Sequence, residues 1–313
     1  MQSRLYDCLG IDKSMKFIAG NGSDELIMLL MLLCGTARGG KVLSPSPSFS
    51  MYRHLTQALG GEFIGVDLNA DFTLDLDKFA EEIKKHRPQL VFLSQPNNPT
   101  GNLFPQEAAE IAAELLQASG LVVVDRAYEF FSRSNDGNDG AANEDSSYSK
   151  TLATKYPNLI NLYTLSKIGV AGLRFGFAVG HKEVIHELSK LRLPYNINTL
   201  TCASIEFMTD NLSHFTKWAD EIKESRDELS RQMMQMPGIQ VFPSSTNFLL
   251  FRLLGDANSA AACVDYLQQN KVLIKSFDGY HDSLKNCLRV SLGTADENSL
   301  FLKQLEAYLK QTD

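Results

Sequence analysis

Seven short apolar runs punctuate the first 180 residues: Lys16–Ala19, Lys41–Ser44, Phe63–Leu68, Leu90–Ser94, Leu121–Asp125, Leu159–Thr164 and Phe175–Gly180. They are rich in Val, Ile, Leu and Phe and, for the most part, do not alternate with polar residues, so they read as strands covered on both faces. Between most of them lie stretches with helical period: Ser23–Leu33, Ser48–Leu59, Leu76–His86 and Pro105–Ser119. Strand–helix alternation of this kind predicts an α/β fold, with a mostly parallel seven-stranded sheet and helices on both faces. Ligands of such sheets sit beyond the carboxyl ends of the strands, so the chemistry is expected just after each run.

Beyond residue 180 the pattern changes. An amphipathic stretch, roughly Leu200–Met236, predicts one long linking helix. From about Ile239 the tail reads strand, helix, strand, strand, helix, which is an α+β unit. The expected organisation is a large domain over 1–200, a linking helix over 201–236 and a smaller C-terminal domain over 237–313. The segment Ser132–Lys150 is nearly free of large apolar residues and is expected to be an exposed, mobile loop. There is no internal repeat.

Composition narrows the function classes. The chain has 313 residues, a net charge of −7 and 21% charged residues, without the basic excess of a nucleic-acid-binding surface. The most apolar stretch, Leu26–Cys34, is far shorter than a membrane span. No secretory leader pattern is visible at the N-terminus. The five cysteines are widely spaced and form no CxxC pattern, so neither a disulfide framework nor a metal site is expected. A cytoplasmic, reducing location is the corresponding expectation.

The strand ends carry the candidate chemistry. After the first run, Gly20-Asn21-Gly22-Ser23-Asp24-Glu25 opens a helix, exposing backbone N–H groups at its positive end, which suits an anion; an ordinary capped helix start reads the same way. After the fourth, Gln95-Pro96-Asn97-Asn98-Pro99-Thr100-Gly101 makes a stiff turn that presents an Asn amide. After the fifth, Asp125 closes an apolar run, where a carboxylate is costly unless it meets a cation or donor, and Tyr128 follows three residues on. A protonated pyridine nitrogen would suit Asp125; a simple capping role is the alternative. After the sixth come Thr164-Leu165-Ser166-Lys167 and, seven residues beyond the lysine, Arg174. Partial burial and a nearby Arg would lower the lysine's pKa and make it a usable amine, whereas a lone strand-end lysine is usually a solvated charge.

Taken together these strings resemble the fold type I aminotransferases of class I/II that use pyridoxal 5′-phosphate (PLP) and, within them, the histidinol-phosphate aminotransferases. The matching strings are Gly22–Glu25, Pro96–Gly101, Asp125-x-Ala127-Tyr128, Thr164–Lys167, Ala171-Gly172-Leu173-Arg174-x-Gly176, Pro194-Tyr195-Asn196 and Leu288–Thr294. The resemblance implies that the large domain binds PLP. Lys167 becomes the Schiff-base lysine and proton carrier, Asp125 pairs with the pyridine nitrogen, Tyr128 and Asn98 bond the ring's phenolic oxygen, and Phe49 stacks on the ring. Ser23 and Asp24 amides, Thr164, Ser166 and Arg174 hold the phosphate. Arg289, Lys275 and Asn247 meet the substrate. The implied reaction is transfer of the amino group of histidinol phosphate to 2-oxoglutarate, giving glutamate, in a homodimer, as a step in histidine biosynthesis. Aromatic aminotransferases, decarboxylases of phosphorylated amino acids and a non-catalytic PLP-binding protein would share the cofactor residues. Three departures from the family stand out. No Asn-Glu-Asn-Pro stretch or phosphate-reaching Tyr precedes the first strand, so the expectation is either a truncated version of the family's chain or a cofactor held with one contact fewer in a more open site. The Lys167–Arg174 spacing is one residue short of many relatives. Lys275 stands where a second substrate-binding Arg is common, keeping the charge but losing the fork.

Overall fold

The structure is a computed structural model and describes residues 2–132, 151–255 and 259–312. Most of the expected segment Ser132–Lys150 therefore lies outside the described residues. Seven strands form one sheet: β1 (Lys16–Asn21), β2 (Lys41–Ser46), β3 (Glu62–Asp67), β4 (Leu90–Ser94), β5 (Leu121–Asp125), β6 (Leu159–Thr164) and β7 (Phe175–Gly180). Their spatial order is β1-β7-β6-β5-β4-β2-β3. Five neighbours run parallel, and β7 lies antiparallel between β6 and β1. β1 thus has β7 as its one partner in the sheet. The four strands from β4 to β7 begin and end where the apolar runs do, because each run is set off by polar or glycine punctuation.

Helices cover both faces. α1 (Gln2–Leu9), α4 (Leu76–His86) and α5 (Glu107–Leu116) pack on one side; α2 (Ser23–Leu33), α3 (Ser50–Ala58) and α7 (Lys182–Leu191) pack on the other, and α6 (Glu129–Ser132) is a single turn after β5. β4 shows why its sequence does not alternate. Val91 and Leu93 enter one core while Leu90 and Phe92 enter the opposite one, all at most 2% exposed. Each such side chain contributes roughly 1.5–3 kcal/mol by leaving water.

The stretch expected to be one linking helix is two. α8 (Thr199–Asp210) ends and α9 (Leu212–Met233) begins at Asn211, whose φ of −115° and ψ of 25° are non-helical. Its side-chain amide donates back to the Phe207 carbonyl at 2.8 Å, the kind of local bond that lets Asn close a helix. The C-terminal part is a four-stranded antiparallel sheet in the order β10-β11-β9-β8, from β8 (Ile239–Val241), β9 (Phe248–Leu253), β10 (Lys275–Ser276) and β11 (Cys287–Ser291). Its helices are α10 (Ala260–Gln269) and α11 (Ala295–Thr312). One more strand precedes α10 than the tail pattern suggests, since β8 has only three residues. Phe242, Phe248, Leu250 and Phe277 extend the large sheet's core into this second sheet. Among the described residues no helix is long and apolar enough to cross a membrane.

Candidate active site

The carboxyl ends of β4, β5 and β6 enclose a cavity of about 200 Å³. All ten residues expected to meet a cofactor line it: Ser23, Asp24, Phe49, Asn98, Asp125, Tyr128, Thr164, Ser166, Lys167 and Arg174. A larger cavity of about 510 Å³ adjoins it and shares Phe49, Asn98, Tyr128 and Lys167. Lys275 and Arg289 line the larger one, whereas Asn247 lines neither. The Asn247 carbonyl instead accepts from the Leu292 amide at 3.0 Å, tying the turn before β9 to the end of β11.

One end of the small cavity is built for an anion. Gly22, with φ at 86°, turns the chain into α2 so that the first amides of the helix open toward the cavity. A Cβ at Gly22 would lie 2.5 Å from the Arg174 guanidinium, and one at Gly176 would lie 2.4 Å from the Ser23 nitrogen. The glycines therefore let β7, the start of α2 and Arg174 close on one another. Arg174 bonds Asp24 at 3.2 Å and has φ at 48°; the kink at Ile168 and Gly169 redirects the chain between Lys167 and the arginine. The short spacing noted in the sequence thus still brings Arg174 to the helix start. Thr164 Oγ1 donates to Ser166 Oγ at 3.0 Å beside it.

The other end holds a carboxylate. Asp125 is 4% exposed, and no lysine or arginine lies within ion-pair distance of it among the described residues. Burial pushes its carboxyl up to about 6, against the hydrogen bonds from the Tyr52 hydroxyl at 2.6 Å and the Ala127 amide at 3.1 Å and the field of Lys167, which pull it down. A buried acid with donors but no contacting cation fits a ring nitrogen that carries a proton. Lys167 is half-buried, with Nζ 5.6 Å from the centre of the Tyr128 ring. Burial lowers its pKa, Asp125 opposes that, and the positive charges of Arg289 and Arg174 add to it. Burial also pushes the Tyr128 phenol up to about 12, so it remains a donor at neutral pH.

Residues 2–305 match the family described as aminotransferase class I and II. The chain belongs to that family. It is 42% identical over 310 residues to histidinol-phosphate aminotransferase 2 of Nitrosococcus oceani, covering 98% of this chain and 80% of that one. It is 39% identical over 303 residues to the histidinol-phosphate aminotransferase of Neisseria gonorrhoeae, covering 96% and 79%. The fold matches the crystal structure of the histidinol-phosphate aminotransferase of Sinorhizobium meliloti in complex with pyridoxal-5′-phosphate, at a TM-score of 0.85 and 24% identity over 100% of this chain and 81% of that one.

Several residues of this aminotransferase were not legible as site residues. Tyr52 stacks on Phe92 at 4.4 Å and holds Asp125 from below. It lies three residues after Phe49, the residue that caps α3, with the two rings edge to face at 5.5 Å, and that spacing is the signal that would have found it. In the Asn97-Asn98 pair the first is structural: Asn97 is fully buried, donates to the Pro47 carbonyl and Thr100, and accepts from Ser48. Asn98 faces the junction of the cavities, where its side-chain oxygen accepts from Arg289 Nη1 at 2.7 Å. Arg289 is seated over the rings of Phe248 and Phe277, at 4.6 and 5.2 Å. Asn196, from the Pro-Tyr-Asn string, donates to Glu25 and to the Ala19 carbonyl, bracing the turn into α2.

Proposed function

We propose that this chain is a PLP-dependent aminotransferase that converts histidinol phosphate and passes the amino group to 2-oxoglutarate. The observation that carries the reading is the junction of the two cavities: Lys167 and Tyr128 belong to both, Asp125 and the anion cradle lie on one side, and Arg289 lies on the other. The relatives named histidinol-phosphate aminotransferase, at 38–42% identity over nearly the whole chain, support the substrate.

Each residue has a role in this reading. PLP, when bound, supplies the electron sink that stabilises the charge left as a substrate carbon loses its proton. Ser23, Thr164, Ser166 and Arg174 hold its phosphate with amide, hydroxyl and guanidinium donors. Asp125 keeps the ring nitrogen protonated, and Tyr52 fixes the carboxylate. Tyr128 and Asn98 donate to the phenolic oxygen, and Phe49 covers the ring. Lys167, its pKa lowered by burial, would take a proton from the substrate's amine-bearing carbon and carry it past the nitrogen to the carbon on the other side. Arg289 binds the phosphate of histidinol phosphate or a carboxylate of the second substrate, exchanging its bond to Asn98 for a charged one. Lys275 adds a positive charge without a fork.

A homodimer and a cytoplasmic location belong to the same proposal. Leu193, Tyr195, Leu200 and Phe207 are 67–100% exposed, an apolar exposure that a subunit contact would cover. Cys34, Cys202, Cys263 and Cys287 are free thiols, which suits a reducing compartment. Light scattering should give twice the chain mass of 34.8 kDa. The activity is tested by incubating the PLP-loaded protein with histidinol phosphate and 2-oxoglutarate and measuring glutamate. A protein that transaminates aromatic amino acids but leaves histidinol phosphate untouched refutes the substrate, and release of carbon dioxide instead of glutamate refutes the reaction.

A further inference from the structure

Tyr128 and Asn98, the donors to the cofactor's phenolic oxygen in the reading above, stand on backbone that meets at one buried side chain. That side chain is Arg226 of α9, 8% exposed. Its Nη1 donates to the Phe131 carbonyl at 3.1 Å and to the Thr246 carbonyl at 3.2 Å. Phe131 lies in the turn α6, and its amide donates to the Tyr128 carbonyl at 2.9 Å. Thr246 lies in the turn before β9, where the Ser245 amide donates to the Gly101 carbonyl at 2.7 Å, at the end of the string that carries Asn98. The same turn leads into Phe248, whose ring meets Tyr128 edge to face at 5.3 Å. The guanidinium Nε bonds Asp227 at 2.8 Å, and that carboxylate is exposed. Burying a cation is costly, and an apolar side chain of similar volume is often as stable in such a place. What the guanidinium alone supplies is direction: one rigid group fixes the carbonyls of two segments distant in the chain.

We propose that Arg226 is a positioning residue, which sets where Tyr128 and Asn98 stand against the cofactor by tying the turn after β5 to the turn before β9. This rests on the function proposed above and adds to it a residue that lines neither cavity. Donors at the phenolic oxygen stabilise its negative charge. They thereby weaken its hold on the proton of the Lys167–cofactor linkage and lower the pH at which that proton leaves. Donors that stand off raise that pH.

The test is a pH titration of the visible absorbance of the PLP-loaded protein, which reads that proton. Tyr128→Phe, with one donor removed, should move the midpoint up by about 1–2 pH units. Arg226→Met should move it up by about half a unit or more, and Arg226→Lys, which still reaches one carbonyl, by less. In Arg226→Met combined with Tyr128→Phe the shift should fall short of the sum of the two, because the donor that Arg226 places is already gone. Wild-type midpoints in both Arg226 variants, or a double variant whose shift equals that sum, overturn the proposal. If Arg226→Met does not fold, Arg226→Lys decides: a raised midpoint supports the positioning role and an unchanged one overturns it. A wild-type protein that gains no visible absorbance from PLP refutes the cofactor reading, and this proposal with it.

Discussion

Replacing Asp125 by asparagine separates what this carboxylate does for the cofactor from what it costs the protein. In the cofactor-free chain Asp125 titrates near 6 instead of 3.8, because burial disfavours its charge. That is roughly two units, or about 3 kcal/mol at about 1.4 kcal/mol per unit. The folded-state value is raised, so the stability difference has a definite sign. Below the unfolded value both states carry the proton and nothing is lost. Between 3.8 and about 6 the unfolded chain ionises first, and stability falls as pH rises. Above about 6 the full cost is present. Asparagine has nearly the same shape, keeps an acceptor for the Ala127 amide and offers its amide to the Tyr52 oxygen. Without cofactor, Asp125→Asn should therefore be more stable than wild type at pH 8, by up to about 3 kcal/mol, and the gap should close toward pH 4. With cofactor the order reverses, because a ring-nitrogen partner is lost; affinity should fall by about thirtyfold or more. Urea denaturation of both proteins between pH 4 and 8, with and without PLP, measures this. A variant that is less stable than wild type at every pH without cofactor, with a pH-independent gap, would refute the account.

Lys167→Ala should leave a protein that stays colourless after mixing with PLP and desalting, whereas the wild type should be yellow and bleach with borohydride; absorbance spectra decide it. Tyr52→Phe removes a bond that lowers the Asp125 pKa, so cofactor binding should be lost at a higher pH on the acid side, with a stability cost of about 1 kcal/mol, read from a pH titration of PLP affinity. Gly176→Ala would put a methyl 2.4 Å from the Ser23 nitrogen and 2.7 Å from the Gly22 carbonyl carbon; since both are backbone, the cradle must open, costing about 1–3 kcal/mol in stability and weakening inorganic phosphate binding.

What the sequence made legible follows local physics. A strand buried on both faces must be apolar throughout, and its end must be polar, so the runs ending at Ser94, Asp125 and Thr164 marked both the strand and the candidate chemistry after it. Nine of the ten cofactor candidates cluster at or just after such ends, while Phe49 entered only through the family resemblance. Less was legible where partners come from distant chain. Tyr52 reads as one more apolar position of an amphipathic helix until Asp125, 73 residues away, is placed against it. The break at Asn211 carries no glycine or proline, only an Asn whose side chain closes the helix locally. Asn247, expected by resemblance at the substrate, instead accepts the Leu292 amide on its backbone carbonyl.

The place of β1 at the edge of the sheet has a consequence in time. Its partner, β7, begins about 150 residues later in the chain. At roughly 5–20 residues per second of synthesis, β1 leaves the ribosome about 10–30 s before anything it can pair with. The parallel ladder from β2 to β6 can assemble in that interval. The turn from β1 into α2, which presents the anion-binding amides, is fixed only when β7 slides in beside it and Gly176 meets Ser23. In a newborn chain the phosphate cradle is then among the last parts of the large sheet to exist. A chain cut short before residue 175 would hold most of the sheet and Lys167, but not the strand that closes the phosphate cradle against α2.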